Sequence, residues 1–359
     1  MSTAGKDTGE VRKGEEFSLE ELNAFLSKYV PEVGKVREVN QFTGGFSNLT
    51  YQLISEKGKF VLRRPPKGAN IQSAHDMGRE YRILRLLEGT YPFIPKPVTA
   101  CDDPEVIGAP FFIMEQVEGV ILRNKLPEGM ELGADFFAHL GQSTIEHLVG
   151  LHQVDLKAKP ELTAFGKPDG YVDRQVSGWI KRYHKAKTDD ITDMEELEEW
   201  LNEYQPREQA PAFLHNDYKF DNLVLTPELD GTIRAVLDWE MATVGDPLMD
   251  LGTTLSYWTE ARDPNPAMQM FGLTHLAGNL HRQDVVAYYA EKSNRQVGEM
   301  LFYYVFATYK LAVIAQQIYA RYKKGLTRDP RFGGLIHIVR ASAQNGMMAI
   351  KFNRVGDFY

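Results

Sequence analysis

The segment His215–Leu225, HNDYKFDNLVL, sets two acids and an asparagine directly ahead of an apolar run, and LDWEMATVGDPLMDLG begins at Leu237. Asp217 and Asn222 stand five residues apart, and Asp238 closes a second apolar run, IRAVLD. Polar clusters between strands are commonly turns, and that is the plain reading here. A carboxylate, an amide oxygen and a second carboxylate in these places are also the set that phosphoryl transfer needs. The transfer asks for a base to orient an attacking hydroxyl and hard oxygen ligands for a divalent metal shared with nucleotide phosphates. On this reading Asp217 is the base, while Asn222 and Asp238 bind Mg2+ and face the same cleft.

Upstream residues offer the remaining parts. FTGGFSN places Gly44, Gly45, Phe46 and Ser47 between two strands, where glycine adds no bulk and lets backbone N–H groups approach phosphate oxygens. A hairpin turn explains the two glycines equally well, and no G-K-[ST] follows, so the loop is not a Walker A loop. The next strand, FVLRR, carries Arg63 on the face of Val61. In MGREYRILRLL, Met77, Glu80, Leu84 and Leu87 recur at helical spacing, so Glu80 falls within an apolar stripe. A carboxylate there either snorkels at the helix edge or takes a cationic partner, since an unpaired buried charge is costly. Arg63 is the nearest plausible partner, and the pair would set a guanidinium on nucleotide phosphates.

The elements that must hold these residues follow from periodicity. Ser18-Leu-Glu-Glu21 has the form of a capping box, and Leu19, Leu22, Phe25 and Leu26 then predict a helix that stops before Pro31. Alternation at Leu49, Tyr51 and Leu53 predicts strands over 36–64, with a hairpin near Lys57-Gly58. A helix is expected over 72–88 and a buried strand at FFIMEQV, 111–117. Past Gly119 helices dominate, over 131–153, 173–187, 194–204 (with a second capping box at Thr192 and Glu195) and beyond Pro247. The strand-like runs in that part are LVL, 223–225, and IRAVLD, 233–238. The fold class is therefore α+β, with a disordered tail over 1–16, a sheet-rich lobe over 17–117 and a mostly helical lobe over 118–359.

At this point the residues resemble the aminoglycoside phosphotransferase and choline kinase-like family. HNDYKFDN is similar to its H-G-D-x-x-x-x-N loop, LDWE to its metal-binding acid segment, and GDPLMDL to its G-D-P-x-x-D-L signature. The resemblance implies a bilobal protein-kinase-like fold, with a small antiparallel sheet and one key helix in the first lobe. It implies that Asp217 is the catalytic base, that Asn222 and Asp238 bind Mg2+, and that Glu80 pairs with the phosphate-binding cation. Backbone around Glu115 and Val117 would hold the adenine of ATP, and Asp250 would brace the catalytic loop. This sequence departs from the pattern twice, with Arg63 beside Arg64 where lysine is common and Asn216 where glycine is usual. FVLRRPPKG, SAHDMGREYRIL and LDWEMATVGDP most resemble kinase-like domains related to those fused to acyl-CoA dehydrogenases, which makes a hydroxylated acyl-CoA a candidate acceptor.

Composition narrows the alternatives. A net charge of -8 over 359 residues argues against a broad nucleic-acid surface, and the single Cys101 fits a reducing, cytoplasmic setting. The apolar stretch at 301–320 is interrupted by Lys310, Gln316 and Gln317 and reads as a core helix, not a membrane span. His215 is expected to brace its loop by hydrogen bonds, His152 to be structural, and Asp246 to cap a helix starting at Pro247. DWE stands where a protein kinase has D-F-G, and no A-P-E follows, so a small hydroxylated molecule is the expected acceptor. The competing readings are a nucleotide-binding pseudokinase or scaffold and a protein-serine/threonine kinase.

Overall fold

The computed structural model describes residues 7–44, 48–66, 76–127, 129–298, 300–327 and 329–358. The chain divides into two compact units. The first runs to Val120 and adds Val224–Pro227 and Arg234–Met241; the second comprises Ile121–Leu223, Glu228–Ile233 and Ala242–Tyr359.

In the first unit, β1 (Thr8–Gly9), α1 (Leu19–Tyr29), β2 (Val36–Phe42), β3 (Leu49–Ser55), β4 (Lys59–Arg64), α2 (Met77–Leu87), β5 (Pro97–Cys101) and β6 (Phe111–Glu115) follow in order. The strands form one antiparallel sheet in the order β1-β2-β3-β4-β6-β5. Ser18 caps α1, its hydroxyl accepting from Glu21 N–H at 3.2 Å, and the helix stops ahead of Pro31 as its sequence requires. Leu49, Tyr51 and Leu53 are the buried face of β3, and they pack with Leu22, Leu26, Leu62, Phe111 and Ile113 into one core. Burying each of the large apolar side chains contributes about 1.5–3 kcal/mol.

Two expectations change here. Residues 7–16 are not a disordered tail: β1 pairs with Phe42 and Gln41, and the Glu15 carbonyl accepts from both the Tyr51 hydroxyl and Arg64. A polar segment gains order when its carbonyls receive buried donors from a neighbouring strand. The described helix begins at Met77 behind the Asp76 cap, whose carboxylate accepts from Arg79 N–H at 2.8 Å; residues 67–75 lie outside the described set.

The second unit is built on α3 (Ala134–His152), α4 (Tyr171–Ala186), α5 (Thr192–Glu203), α6 (Pro247–Tyr257), α7 (Arg282–Ser293), α8 (Met300–Lys323) and α9 (Leu335–Phe352). Strands β7 (Ala212–Leu214) and β10 (Thr243–Gly245) pair in this unit, whereas β8 (Leu223–Leu225) and β9 (Ile233–Val236), which pair with each other, fall mostly in the first unit. The β7–β10 ladder was not expected, because three residues are too few for alternation to register. Thr192 does not cap α5: the residue before it, Ile191, makes no side-chain cap, and Glu195 pairs with Lys187 at 2.7 Å instead. Residues 301–320 lie within α8, and no helix among the described residues is long and apolar enough to cross a membrane.

Candidate active site

The chain from β7 to β8 carries Asp217 on a short irregular loop. Two main-chain N–H groups enter it side by side, His215 and Asn216, and both donate to the Asp250 carboxylate, at 2.6 and 2.7 Å. Asp250 is fully buried at the start of α6 and accepts also from the His152 ring at 3.2 Å, whose other nitrogen meets the Tyr289 hydroxyl at 2.8 Å. Burial pushes the Asp250 pKa up, but the bonds and charges of His152 and His215 outweigh it and hold the carboxyl below its usual range. His215 itself accepts from Asp217 N–H through Nδ1 at 3.2 Å, the bracing role expected of it. Asn216 is left-handed, φ 65°, a conformation asparagine tolerates better than most residues and glycine best. The usual glycine of the resembling motif is explained by this turn.

Asp217 then points its carboxylate at Lys219, whose Nζ lies 3.0 Å from each oxygen. Asn222 closes the loop: its Nδ2 donates to the Asp217 carbonyl at 2.8 Å and to its carboxylate at 3.1 Å. Lys219 packs over the Tyr257 ring, 4.7 Å from its centroid. Burial lowers the Lys219 pKa, yet Asp217 more than offsets this, and the ammonium stays above its ordinary range. Asp221 is raised by burial, and one of its oxygens is buried without a hydrogen bond.

The signature GDPLMDL is a packing device as much as a motif. Asp246 caps α6 as expected, accepting from Leu248 N–H at 2.9 Å, and takes Gln209 N–H and the Tyr303 hydroxyl as well, both at 2.9 Å. A Cβ at Gly245 would lie 2.7 Å from the Tyr171 ring, so only glycine fits against it.

In the first unit, Arg63 and Glu80 form the predicted pair. Arg63 Nη1 lies 2.5 Å from Glu80 Oε1, with Nη2 3.0 Å from Asp238 and 3.6 Å from Glu240. Burial opposes the Arg63 charge, but Glu80, Asp238 and Glu240 keep it protonated far above any working pH. Burial pushes Glu80 up to about 7, against Arg63 and with the help of the Asp238 charge. Arg64 turns the other way, donating to Ile107 and Glu15 carbonyls and to the Tyr51 hydroxyl. Of the two adjacent arginines, Arg63 is the one beside Asp238. Asp238 is itself left-handed, φ 67°, and opens a short turn over Trp239–Met241.

Glu115 ends β6, with its N–H donated to the Lys96 carbonyl and its side chain paired to Lys96 at 2.8 Å. Gln116 N–H is spent on Lys59. Val117 N–H meets no acceptor among the described residues. Gly44 follows β2 at the edge of the described residues, and Gly45, Phe46 and Ser47 lie outside them.

Three charged residues were missed. Lys219 falls at an unspecified position of the H-G-D-x-x-x-x-N pattern, although residues two apart in extended chain share a side. Glu240, two beyond Asp238, accepts from Asn48 Nδ2 at 2.7 Å and shares Arg63. Lys310 had served only as an argument against a membrane span; it is buried, with its Nζ 3.1 Å from the Asn216 carbonyl.

The model of the phosphotransferase enzyme family matches residues 38–283, and the chain belongs to that family. Acyl-CoA dehydrogenase family member 11 of Homo sapiens is 30% identical over 362 residues, covering 98% of this chain and 45% of the relative. Family member 10 of Mus musculus is 33% identical over 288 residues, covering 79% of this chain and 26% of the relative. The chain thus spans less than half the length of these curated relatives. Among solved structures, a protein from Ralstonia eutropha jmp134, provisionally assigned as an aminoglycoside phosphotransferase, has a TM-score of 0.79 at 30% identity and covers 94% of this chain and 99% of its own. A spectinomycin phosphotransferase in complex with ADP and spectinomycin shares the fold at TM-score 0.55 and 12% identity, over 91% of this chain and 97% of its own. The fold is the α+β kinase-like one that the motifs imply, and the chemistry of the family is small-molecule phosphotransfer.

Proposed function

We propose that the protein transfers the γ-phosphate of ATP, with Mg2+, to a hydroxyl group of a small molecule. The observation that carries this reading is the loop of Asp217, whose carboxylate is fixed by Asn222 and Lys219 on a main chain tied down by Asp250. A base is effective when its direction is set before the substrate arrives. The acceptor oxygen forms a bond to the γ-phosphorus while the bond from that phosphorus to the bridging oxygen of ADP breaks. The hydroxyl proton passes to Asp217, and ADP and a phosphate monoester leave.

The donor atoms suit magnesium. Asn222 commits its nitrogen to Asp217, so its amide oxygen is the atom left to face a cation, and Asp238 supplies a carboxylate. Such a hard pair fits a metal that fills its shell with waters and phosphate oxygens. Asn222 and Asp238 would each offer an oxygen to Mg2+, which when bound would supply positive charge for the phosphate oxygens. Arg63, steadied by Glu80, would meet the phosphates, and the Val117 N–H would receive adenine. The likeness to acyl-CoA dehydrogenase family members supports a hydroxylated acyl-CoA or related metabolite as acceptor, and the single cysteine supports a cytoplasmic setting.

The experiment is transfer from γ-labelled ATP to a library of hydroxylated metabolites, hydroxyacyl-CoAs included, with and without Mg2+. Mg2+-dependent labelling that falls at least about 100-fold in Asp217→Asn supports the assignment. A rise in melting temperature with MgATP and no product with any acceptor would make the protein a nucleotide binder without turnover.

A further inference from the structure

Lys310 sits in the middle of α8, between Tyr309 and Leu311, and is buried along with both neighbours. An ammonium in such a place is expensive unless its protons are well received. No carboxylate pairs with it among the described residues. Instead Nζ donates to the Asn216 carbonyl at 3.1 Å, approaches Thr253 Oγ1 at 3.4 Å, and lies 5.8 Å from the centre of the Trp179 ring. Asp217 and Asp250 favour its charge from a distance, whereas Lys219 and Arg182 oppose it, and burial draws its pKa down.

Asn216 is the residue that needs holding. Its left-handed backbone is one that L-residues adopt rarely, asparagine more readily than most, so bonds from the surroundings fix it there. Its N–H is fixed by Asp250 and its carbonyl by Lys310, so α6 and α8 clamp the residue at both ends. The next peptide leads straight into Asp217. A tilt at the Asn216 carbonyl therefore swings the base.

We propose that Lys310 is a positioning residue that locks the left-handed turn at Asn216 and thereby aims the Asp217 carboxylate. The inference rests on the phosphotransferase reading only for its kinetic consequence; the lock itself is a property of the loop.

Two measurements on the purified full chain test it with Lys310→Met, which keeps the volume, and Lys310→Arg, which keeps the charge. First, MgATP turnover, to water or to any acceptor found, is expected to fall about ten- to a hundredfold in kcat in the Met variant, with KM for MgATP little changed and partial recovery in the Arg variant. Second, amide hydrogen exchange is expected to speed up over residues 215–222 in the Met variant, while α8 stays protected. Unchanged exchange over 215–222, or acceleration spread equally along α8, overturns the lock. Unchanged kcat beside a loosened loop overturns the aiming of Asp217. If the wild-type protein shows no phosphotransfer at all, the functional reading fails and the exchange result alone decides on the lock.

Discussion

Asp250 accepts the N–H of Asn216 at 2.7 Å with one oxygen, while its other oxygen takes the preceding N–H of His215. One buried carboxylate thus receives two successive amides of the loop, and it does so from a helix, the more rigid support. The stability of the loop is tied to the charge of a single side chain.

Asp250→Asn should therefore destabilise the protein, because the amide nitrogen that replaces one oxygen faces an N–H it cannot accept from. Leaving that donor unmet costs about 1–3 kcal/mol. The pH dependence has a definite sign. The folded carboxyl is held below its unfolded value, so its contribution is complete above the unfolded value of about 3.9 and is lost as pH falls through the folded one. Urea denaturation of both proteins at stepped pH should show a gap that is constant at neutral pH and narrows toward the acid end. A gap that widens on acidification would contradict the assignment.

Arg63→Met leaves Glu80 buried at a place where burial already disfavours its charge. The expected loss is about 3–5 kcal/mol, whereas Glu80→Gln should cost less, because Arg63 keeps Asp238 at 3.0 Å. The double variant should regain most of the stability without regaining MgATP affinity. Denaturation and calorimetric titration on the same samples separate the two roles, and full nucleotide affinity in the double variant would remove Arg63 from the phosphate site.

Some of this was readable from the chain and some was not, for identifiable reasons. Glu80 was readable because a carboxylate on an apolar helical stripe demands a partner, whatever the tertiary fold. Arg63 is the partner the strand suggests, yet Arg64 stands beside it, and because β4 is buried from Phe60 to Arg64 alternation alone does not separate the two. Asp217 and Asn222 were readable as a spaced motif, but the bond from Asn222 Nδ2 to the Asp217 carbonyl depends on the path of the loop. Lys310 lies ninety-four positions from its partner at Asn216, and nothing local to α8 points there.

Asn222→Ala should show its effect in the metal requirement before anything else. The variant removes an oxygen donor and also releases the Asp217 carbonyl, so kcat falls and the Mg2+ concentration for half-maximal activity rises by at least about tenfold. A magnesium titration at saturating ATP gives both quantities. A fall in kcat at an unchanged magnesium midpoint would leave Asn222 as a brace for Asp217 and no more.

The last prediction concerns the backbone at Asn216. Its φ of 65° suits glycine, is tolerated by asparagine, and is strained for a β-branched residue. Asn216→Gly should leave both stability and turnover close to wild type, since glycine adopts this left-handed φ without strain. Asn216→Val must either pay at least about 1–2 kcal/mol for the left-handed conformation or leave it. Leaving it would move the Asn216 carbonyl away from Lys310 and swing the following residue, Asp217, so a disproportionate loss in kcat is expected over the loss in stability. Thermal melts and kcat for the three proteins decide the matter: equal behaviour of the glycine and valine variants would mean that the turn at Asn216 does not set the direction of the base.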